Sequence, residues 1–309
     1  MKAILKSVSR SFYLTIRFLP RPLREPVALA YLLARATDTI ADTATIPGNA
    51  RLTTLRDLAR VIAGELDFSA LEASLREFAQ QQRQPNERRL IENLHSCFEW
   101  LGRLSADDRQ DIRAVLQTIV RGQQLDLERF GDPTKVAPLR SSAELDEYTW
   151  LVAGCVGEFW TRLGFRLLPP FANRSPEEMT KLGIDYGKGL QLINVLRDRP
   201  VDLTNGRDYL PADELAAAPL QVVFSNWLER AEDQIGQGIE YCVRLTNWRV
   251  RFATVLPALL GKRTLILLRE AGPEKANIKI ARKEVRRITF AAVLASISPI
   301  ALRTLFDRL

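Results

Sequence analysis

Apolar residues recur at spacings of three and four along almost the whole chain. Leu52 to Leu66, Leu90 to Leu104 and Ile112 to Leu127 show it most clearly. That period is the signature of amphipathic helices, and no run alternates apolar with polar between turn signals as a half-buried strand would. The punctuation agrees. Ser105-Ala-Asp-Asp and Ser175-Pro-Glu-Glu read as helix starts. Breaks are expected at Pro20/Pro22, Pro47-Gly48, Gly131-Asp132-Pro133, Pro169-Pro170, Asn205-Gly206 and Gly272-Pro273. With no low-complexity linker and no fixed repeat, residues 1–309 read as one all-α domain. Glu25 to Thr43 and Leu145 to Leu168 carry apolar residues on most faces, so they belong inside. A multi-layer helical bundle with a central cavity is the expected architecture.

Composition narrows the chemistry. Apolar residues make up 46% and charged residues 26%, a globular balance that excludes a disordered chain. The longest uncharged run, Ile288 to Leu302, falls short of the roughly 20 residues of a spanning helix. Three scattered cysteines without CxxC suggest neither a disulfide framework nor a zinc cluster, and they fit a reducing, cytoplasmic setting. His95 is the only histidine, so any Ser-His-Asp device or HExxH site would depend on it; its helical setting reads as structural. Acid–base work and metal binding then fall to carboxylates, tyrosines and lysines, and oxygen ligands favour Mg²⁺. The net charge is +7, and arginines outnumber lysines 35 to 9. Arginine's planar fork suits phosphate. A basic module binding nucleic acid or a membrane is a rival reading of the charge, but it leaves the acids described next unexplained.

Two aspartate pairs stand out: Asp38 with Asp42 in ARATDTIADT, and Asp198 with Asp202 in NVLRDRPVDL. A spacing of four puts both acids on one helical face, where like charges repel. Asp107 with Asp111 and Glu229 with Asp233 show the same spacing in helices that read as solvated. The first two pairs instead follow largely apolar runs, VALAYLLARAT and YGKGLQLINVL, with Arg35, Arg197 and Arg199 close by. The bland reading is a helix emerging into solvent. The functional one is Mg²⁺ gripped by both pairs, holding a diphosphate whose other oxygens face arginines.

Four blocks resemble the signature blocks of the squalene/phytoene synthase family, in its order and spacing. They are SRSFYLTIRFLP (Ser9 to Pro20), YLLARATDTIAD (Tyr31 to Asp42), YTWLVAGCVGEFWTRL (Tyr148 to Leu163) and QLINVLRDRPVDLTNGRDYLP (Gln191 to Pro211). The resemblance runs from about Lys6 to the C-terminus and implies an isoprenoid-synthase-type fold. It implies that two farnesyl diphosphates are joined head to head through presqualene diphosphate with Mg²⁺. By the same resemblance Asp38, Asp42, Asn194, Asp198 and Asp202 hold the metal. Ser9, Arg10, Ser11 and Phe12, with Gln191, Arg197 and Arg207, line the substrates, and Tyr31 and Arg35 are catalytic; Tyr148 is added as a third catalytic residue, on the departure described next. Tyr31 could equally be a core aromatic, Arg207 a solvated loop charge, and Gly154 and Gly157 mere helix-packing residues.

The pattern is not matched throughout. Ala41 and Val201 stand where eukaryotic squalene synthases often have a further Glu, and Leu151 stands where the family often has a catalytic tyrosine. Tyr148, three residues earlier, is the substitute. The form of ARATDTIAD and TRL at Thr161 to Leu163 resemble squalene synthases. Asn277 to Glu284 (NIKIARKE) resembles a strip that binds NADPH, with Lys279 and Arg282 as contacts; KEVRR also reads as a solvated helix face. Squalene made with NADPH is therefore expected. The alternatives are a product that stops at presqualene diphosphate, or hydroxysqualene, dehydrosqualene or phytoene made without NADPH. A peripheral membrane contact for product release is expected, and no nucleic acid.

Overall fold

The structure, a computed structural model, describes residues 2–9, 12–131 and 135–309. It falls into two compact units, Met1–Gly131 and Asp132–Leu309. Arg10 and Ser11, and the side chains of Ser9 and Phe12, lie outside what is described.

The first unit is helical. Its elements are α1 (Lys2–Ser9), α2 (Phe12–Phe18), α3 (Arg21–Asp42), α4 (Gly48–Ala63), α5 (Glu72–Gln81), α6 (Pro85–Glu92), α7 (Leu94–Arg103) and α8 (Ala106–Arg129). Helix α3 is the buried one that its sequence predicts. Leu29, Leu32, Leu33, Ala36 and Ile40 are almost wholly inaccessible, and α4, α7 and α8 pack around it. Its start is set by proline at the first helical turn, where the missing N–H costs nothing. Helix α4 stops at Gly64, whose φ of 85° is a left-handed cap that a Cβ would strain. Ser105 caps α8 by accepting from the Asp108 amide at 3.1 Å. Within α8, Asp107 is exposed, but Asp111 is buried, not solvated as its spacing suggested. His95 is exposed, edge-on to Phe68 at 4.9 Å, which fits an ordinary surface-packing role.

In the second unit, α9 (Ser142–Thr149) runs through a π-helical turn, Trp150–Gly154, into α10 (Cys155–Leu167). Next come α11 (Pro176–Thr204), α12 (Ala212–Ala217), α13 (Leu220–Arg244), α14 (Trp248–Ala271), α15 (Arg282–Ala295) and α16 (Pro299–Asp307). Helix α11 is the hub, packed by α10 on one side and α13 on another. It starts after Ser175 with proline in its first turn, as the sequence predicts, and a reciprocal capping box between Ser175 and Glu178 closes that end. Helices α10 and α11 touch backbone to backbone. A Cβ on Gly157 would sit 1.9 Å from the Gly183 carbonyl oxygen, so glycine there is a packing requirement.

One expectation fails. The chain does form strands: β1 (Ala137–Leu139) and β2 (Arg207–Pro211) pair in parallel, with Ala137 opposite Arg207. Each is too short to show alternation, and both contain proline. Gly206, at φ 78°, turns the chain from the end of α11 into β2.

Candidate active site

In α3, Tyr31, Arg35, Asp38 and Asp42 follow one another at spacings of four, three and four, which lines them up along one stripe. The opposite side of the helix is core. The Tyr31 hydroxyl donates to the Val8 carbonyl oxygen at 3.2 Å. Arg35 forks between Glu87 of α6, its near partner, and Asp38, 4.0 Å away. Asp38 accepts from the Gln123 carboxamide of α8 at 2.6 Å and keeps about half of its side chain, 46%, open to solvent.

The electrostatics of this helix end are unfavourable to its own acids. Carbonyl dipoles make a helix C-terminus negative, and α3 has no basic residue in its last turn. Arg51 of α4 reaches the Ala41 carbonyl oxygen at 2.6 Å, which caps the backbone. Desolvation, and then the charge of Asp42, push Asp38 up to a pKa of about 7; Arg35 and Gln123 pull the other way and lose. The neutral form of Asp38 is therefore favoured more than that of a free aspartate.

Helix α11 carries the second stripe: Gln191, Asn194, Asp198 and Asp202, spaced three, four and four. It too ends without a basic residue in its last turn. Here, however, the acid has its own cation. Arg197 grips Asp198 through two parallel bonds, Nε to Oδ1 at 2.8 Å and a terminal nitrogen to Oδ2 at 2.5 Å. That pairing raises the arginine's own pKa. The Asn194 amide donates to Gln191 Oε1 at 3.2 Å, and Gln191 Nε2 reaches the Tyr148 hydroxyl at 3.4 Å. Tyr148 is buried and stacked on Tyr209 of β2, ring centroids 4.7 Å apart. Gln191, Asn194 and Tyr148 are thus brought together.

Arg199 does not join the expected arginine lining. It turns inward and makes a bidentate pair with Asp208, at 3.0 and 2.7 Å, both side chains being nearly inaccessible. Asp208 also accepts from the Leu210 amide, so this buried pair pins β2 to α11. Successive helical residues turn by about 100°, so Arg199 and Asp198 serve different faces although adjacent in sequence. Arg207 is half-buried at the head of β2 rather than on a loop. Leu151 is buried inside the π turn, where no phenol is available. Lys279 and Arg282 are exposed, the one in the irregular segment before α15 and the other at the first position of that helix.

Sequence reasoning missed three further features here. Gln123 lies 85 residues from its partner Asp38, and the Lys188–Asp146 and Arg230–Asp146 pairs, 2.5 and 2.6 Å, tie α9 to α11 and α13. None has a local signal. A cavity of about 820 Å³ in the first unit is lined by Tyr13, Arg17, Arg21, Arg24 and Trp100; it includes none of the expected site residues.

The squalene/phytoene synthase family model matches residues 5–288. The chain belongs to that family. It is 28% identical over 219 residues to a bifunctional lycopene cyclase/phytoene synthase of Phaeosphaeria nodorum, covering 70% of this chain and 34% of that protein. It is 26% identical over 211 residues to a squalene synthase of Saccharomyces cerevisiae, covering 68% and 44% respectively. The chain thus spans less than half the length of either relative. A solved structure described as TcSQS with a ligand superposes with a TM-score of 0.77 at 22% identity, covering 99% of this chain and 88% of that one. The fold is accordingly that of a squalene-synthase-like isoprenoid synthase, all-α save for the short strand pair. No helix among the described residues is long and apolar enough to cross a membrane.

Proposed function

We propose that this protein condenses two farnesyl diphosphates head to head to presqualene diphosphate and converts that, with NADPH, to squalene. The observation that carries the reading is the pair of helix ends. Each presents two aspartates one turn apart, with no basic residue in its own last turn, on a stripe that also bears Tyr31 and Arg35 or Gln191 and Asn194.

These residues suit Mg²⁺. Among the described residues no three Asp, Glu, His or Cys side chains close around one point. Each pair offers two carboxylates, hard oxygen donors of the kind this ion takes together with water and phosphate oxygens. Asp38, Asp42, Asp198 and Asp202 would hold it, with Asn194 beside the second pair. When bound, Mg²⁺ supplies charge that stabilises the departing diphosphate.

The first half-reaction breaks the C1–O bond of one substrate, and the diphosphate takes the electron pair. The 2,3 double bond of the second substrate attacks the allylic cation, and loss of one proton closes a cyclopropane. Arg35 and Arg207 supply guanidinium groups for diphosphate oxygens, while Arg197 keeps Asp198 oriented. Gln191 donates to the Tyr148 oxygen, and Tyr209 fixes the ring plane, so the phenol is held for relaying that proton. In the second half-reaction the other diphosphate leaves and hydride quenches the rearranged cation. Lys279 and Arg282 are cations of the kind that bind a cofactor phosphate. In the rival reading the cation is quenched by water or proton loss and NADPH is not used.

Product analysis with farnesyl diphosphate and Mg²⁺, with and without NADPH, tests both halves. Squalene with NADPH, and presqualene diphosphate or unreduced C30 products without it, is the expected result. An identical C30 product in both reactions removes the reductive half; no C30 product in either removes the condensation.

A further inference from the structure

The large apolar side chains that this protein leaves exposed are not scattered evenly. Ile300 (80%), Ile297 (70%), Phe290 (69%) and Leu294 (56%) are the most exposed among the described residues, and they fall within eleven consecutive positions. Single exposed apolar residues are ordinary, whereas a contiguous group marks an interaction surface. All four lie beyond residue 288, the last that the family model matches.

Charge on the same face says what the surface meets. Helical rotation of about 100° per residue puts Lys283, Arg286, Arg287, Phe290 and Leu294 on one stripe of α15. All five are exposed, while Ile288, Ala292 and Ala295 on the other side are buried against the protein. Glu284 is turned off the stripe to Arg263, at 2.6 Å, and its contact with Arg287 is long, at 4.0 Å. From Lys279 to Leu309 there are seven Lys and Arg against two acids, so this end supplies five of the net seven positive charges of the whole chain.

We propose that the exposed face of α15 and the turn into α16 dock this protein onto an anionic lipid bilayer. Phe290, Leu294, Ile297 and Ile300 enter the boundary between headgroups and acyl chains, and Lys283, Arg286 and Arg287 sit at the level of the lipid phosphates. An amphipathic helix with aromatic and aliphatic residues beside cations binds interfaces in this way, its apolar face about 5–10 Å deep. A second copy of the chain fits the face less well, because self-pairing would bring three cations of each copy together. The contact lies on the surface and does not span the bilayer.

The test is co-sedimentation of the full chain with phosphatidylcholine vesicles, with and without phosphatidylglycerol. The protein should pellet with the anionic vesicles and be released by salt, since the attraction fades over a Debye length. Phe290→Ser with Ile297→Ser should lower partitioning about tenfold or more, and Arg286→Gln with Arg287→Gln should lower it about tenfold on anionic vesicles only. Both pairs are exposed, so circular dichroism and the thermal midpoint should stay at wild-type values. Equal pelleting of the Phe290/Ile297 variant and wild type overturns the proposal. So does equal binding to neutral and anionic vesicles, or self-association abolished by that variant without any vesicle binding. The readout is binding, so its failure leaves the proposed reaction untouched.

Discussion

The ends of α3 and α11 are built on one plan and finished differently. Both carry two aspartates one turn apart on a polar stripe, and both lack a basic residue in their own last turn. At α11 the adjacent Arg197 grips Asp198 with two bonds. At α3 the equivalent acid has a neutral carboxamide from Gln123 and an arginine already committed to Glu87. The same residue spacing therefore yields one carboxylate gripped in bidentate fashion by its own arginine and one that shares a more distant arginine with Glu87. The difference lies in second partners, not in the motif.

Replacing the acids breaks the comparison most severely. Asp38→Asn and Asp198→Asn should each nearly abolish turnover while the fold persists. Their effects on ligand-free stability should diverge. Asp38→Asn removes a repelled charge and should hold or raise the thermal midpoint. Asp198→Asn takes from Arg197 its bidentate partner and should lower it slightly, by no more than about 1 kcal/mol for so open a pair. Asp107→Asn, exposed on α8, is the control. Activity of Asp38→Asn equal to that of the control would dismiss the metal assignment.

Tyr148→Phe sharpens the α11 side. It keeps the stack on Tyr209 and loses the hydroxyl that Gln191 meets, so packing should hardly change. Turnover should fall about 10²–10⁴-fold, the range for losing a positioned acid or base. A steady-state rate unchanged from wild type would show that the phenol plays no part.

Arg199→Met tests a feature that α11 has and α3 does not. Leaving Asp208 buried and unpaired should cost about 3–5 kcal/mol, read from urea unfolding. A loss below about 1 kcal/mol would mean that Asp208 finds water or another donor, and that β2 is held by other contacts.

How much of this was legible follows from how local each feature is. Helix α3 and its aspartates could be read because Leu32, Leu33 and Ile40 surround them in sequence as well as in space. The π turn could not: Trp150 to Gly154 would serve an α-helix equally well, and only the hydrogen-bond register distinguishes them. The β1–β2 pair joins residues 70 apart in strands of three and five. Arg199 looked like its neighbour Arg197 because sequence shows adjacency and not which way a helical face points. Asp111 looked solvated for the same reason. Gln123, the partner that sets Asp38 apart, came from another helix altogether.

The smallest effect is a titration, and it separates the two helix ends without any substrate. With its pKa raised to about 7, Asp38 takes up a proton on folding between the unfolded aspartate value, about 4, and its folded value. The native state binds the extra proton, so ligand-free stability should rise as pH falls through 7 toward 4. Half of the side chain is open, which keeps the gain modest. Mg²⁺ competes for the same carboxylate and should bind more tightly as pH rises through about 7. The Mg²⁺-dependent rise in thermal midpoint, followed from pH 5.5 to 8.5, should therefore show a step near 7. Asp38→Asn should remove that step. Gln123→Leu withdraws a hydrogen bond that favours the charged carboxylate, so it should move the step to higher pH. A step that survives Asp38→Asn belongs to another group, and the contrast between the two helix ends would then not arise from this aspartate.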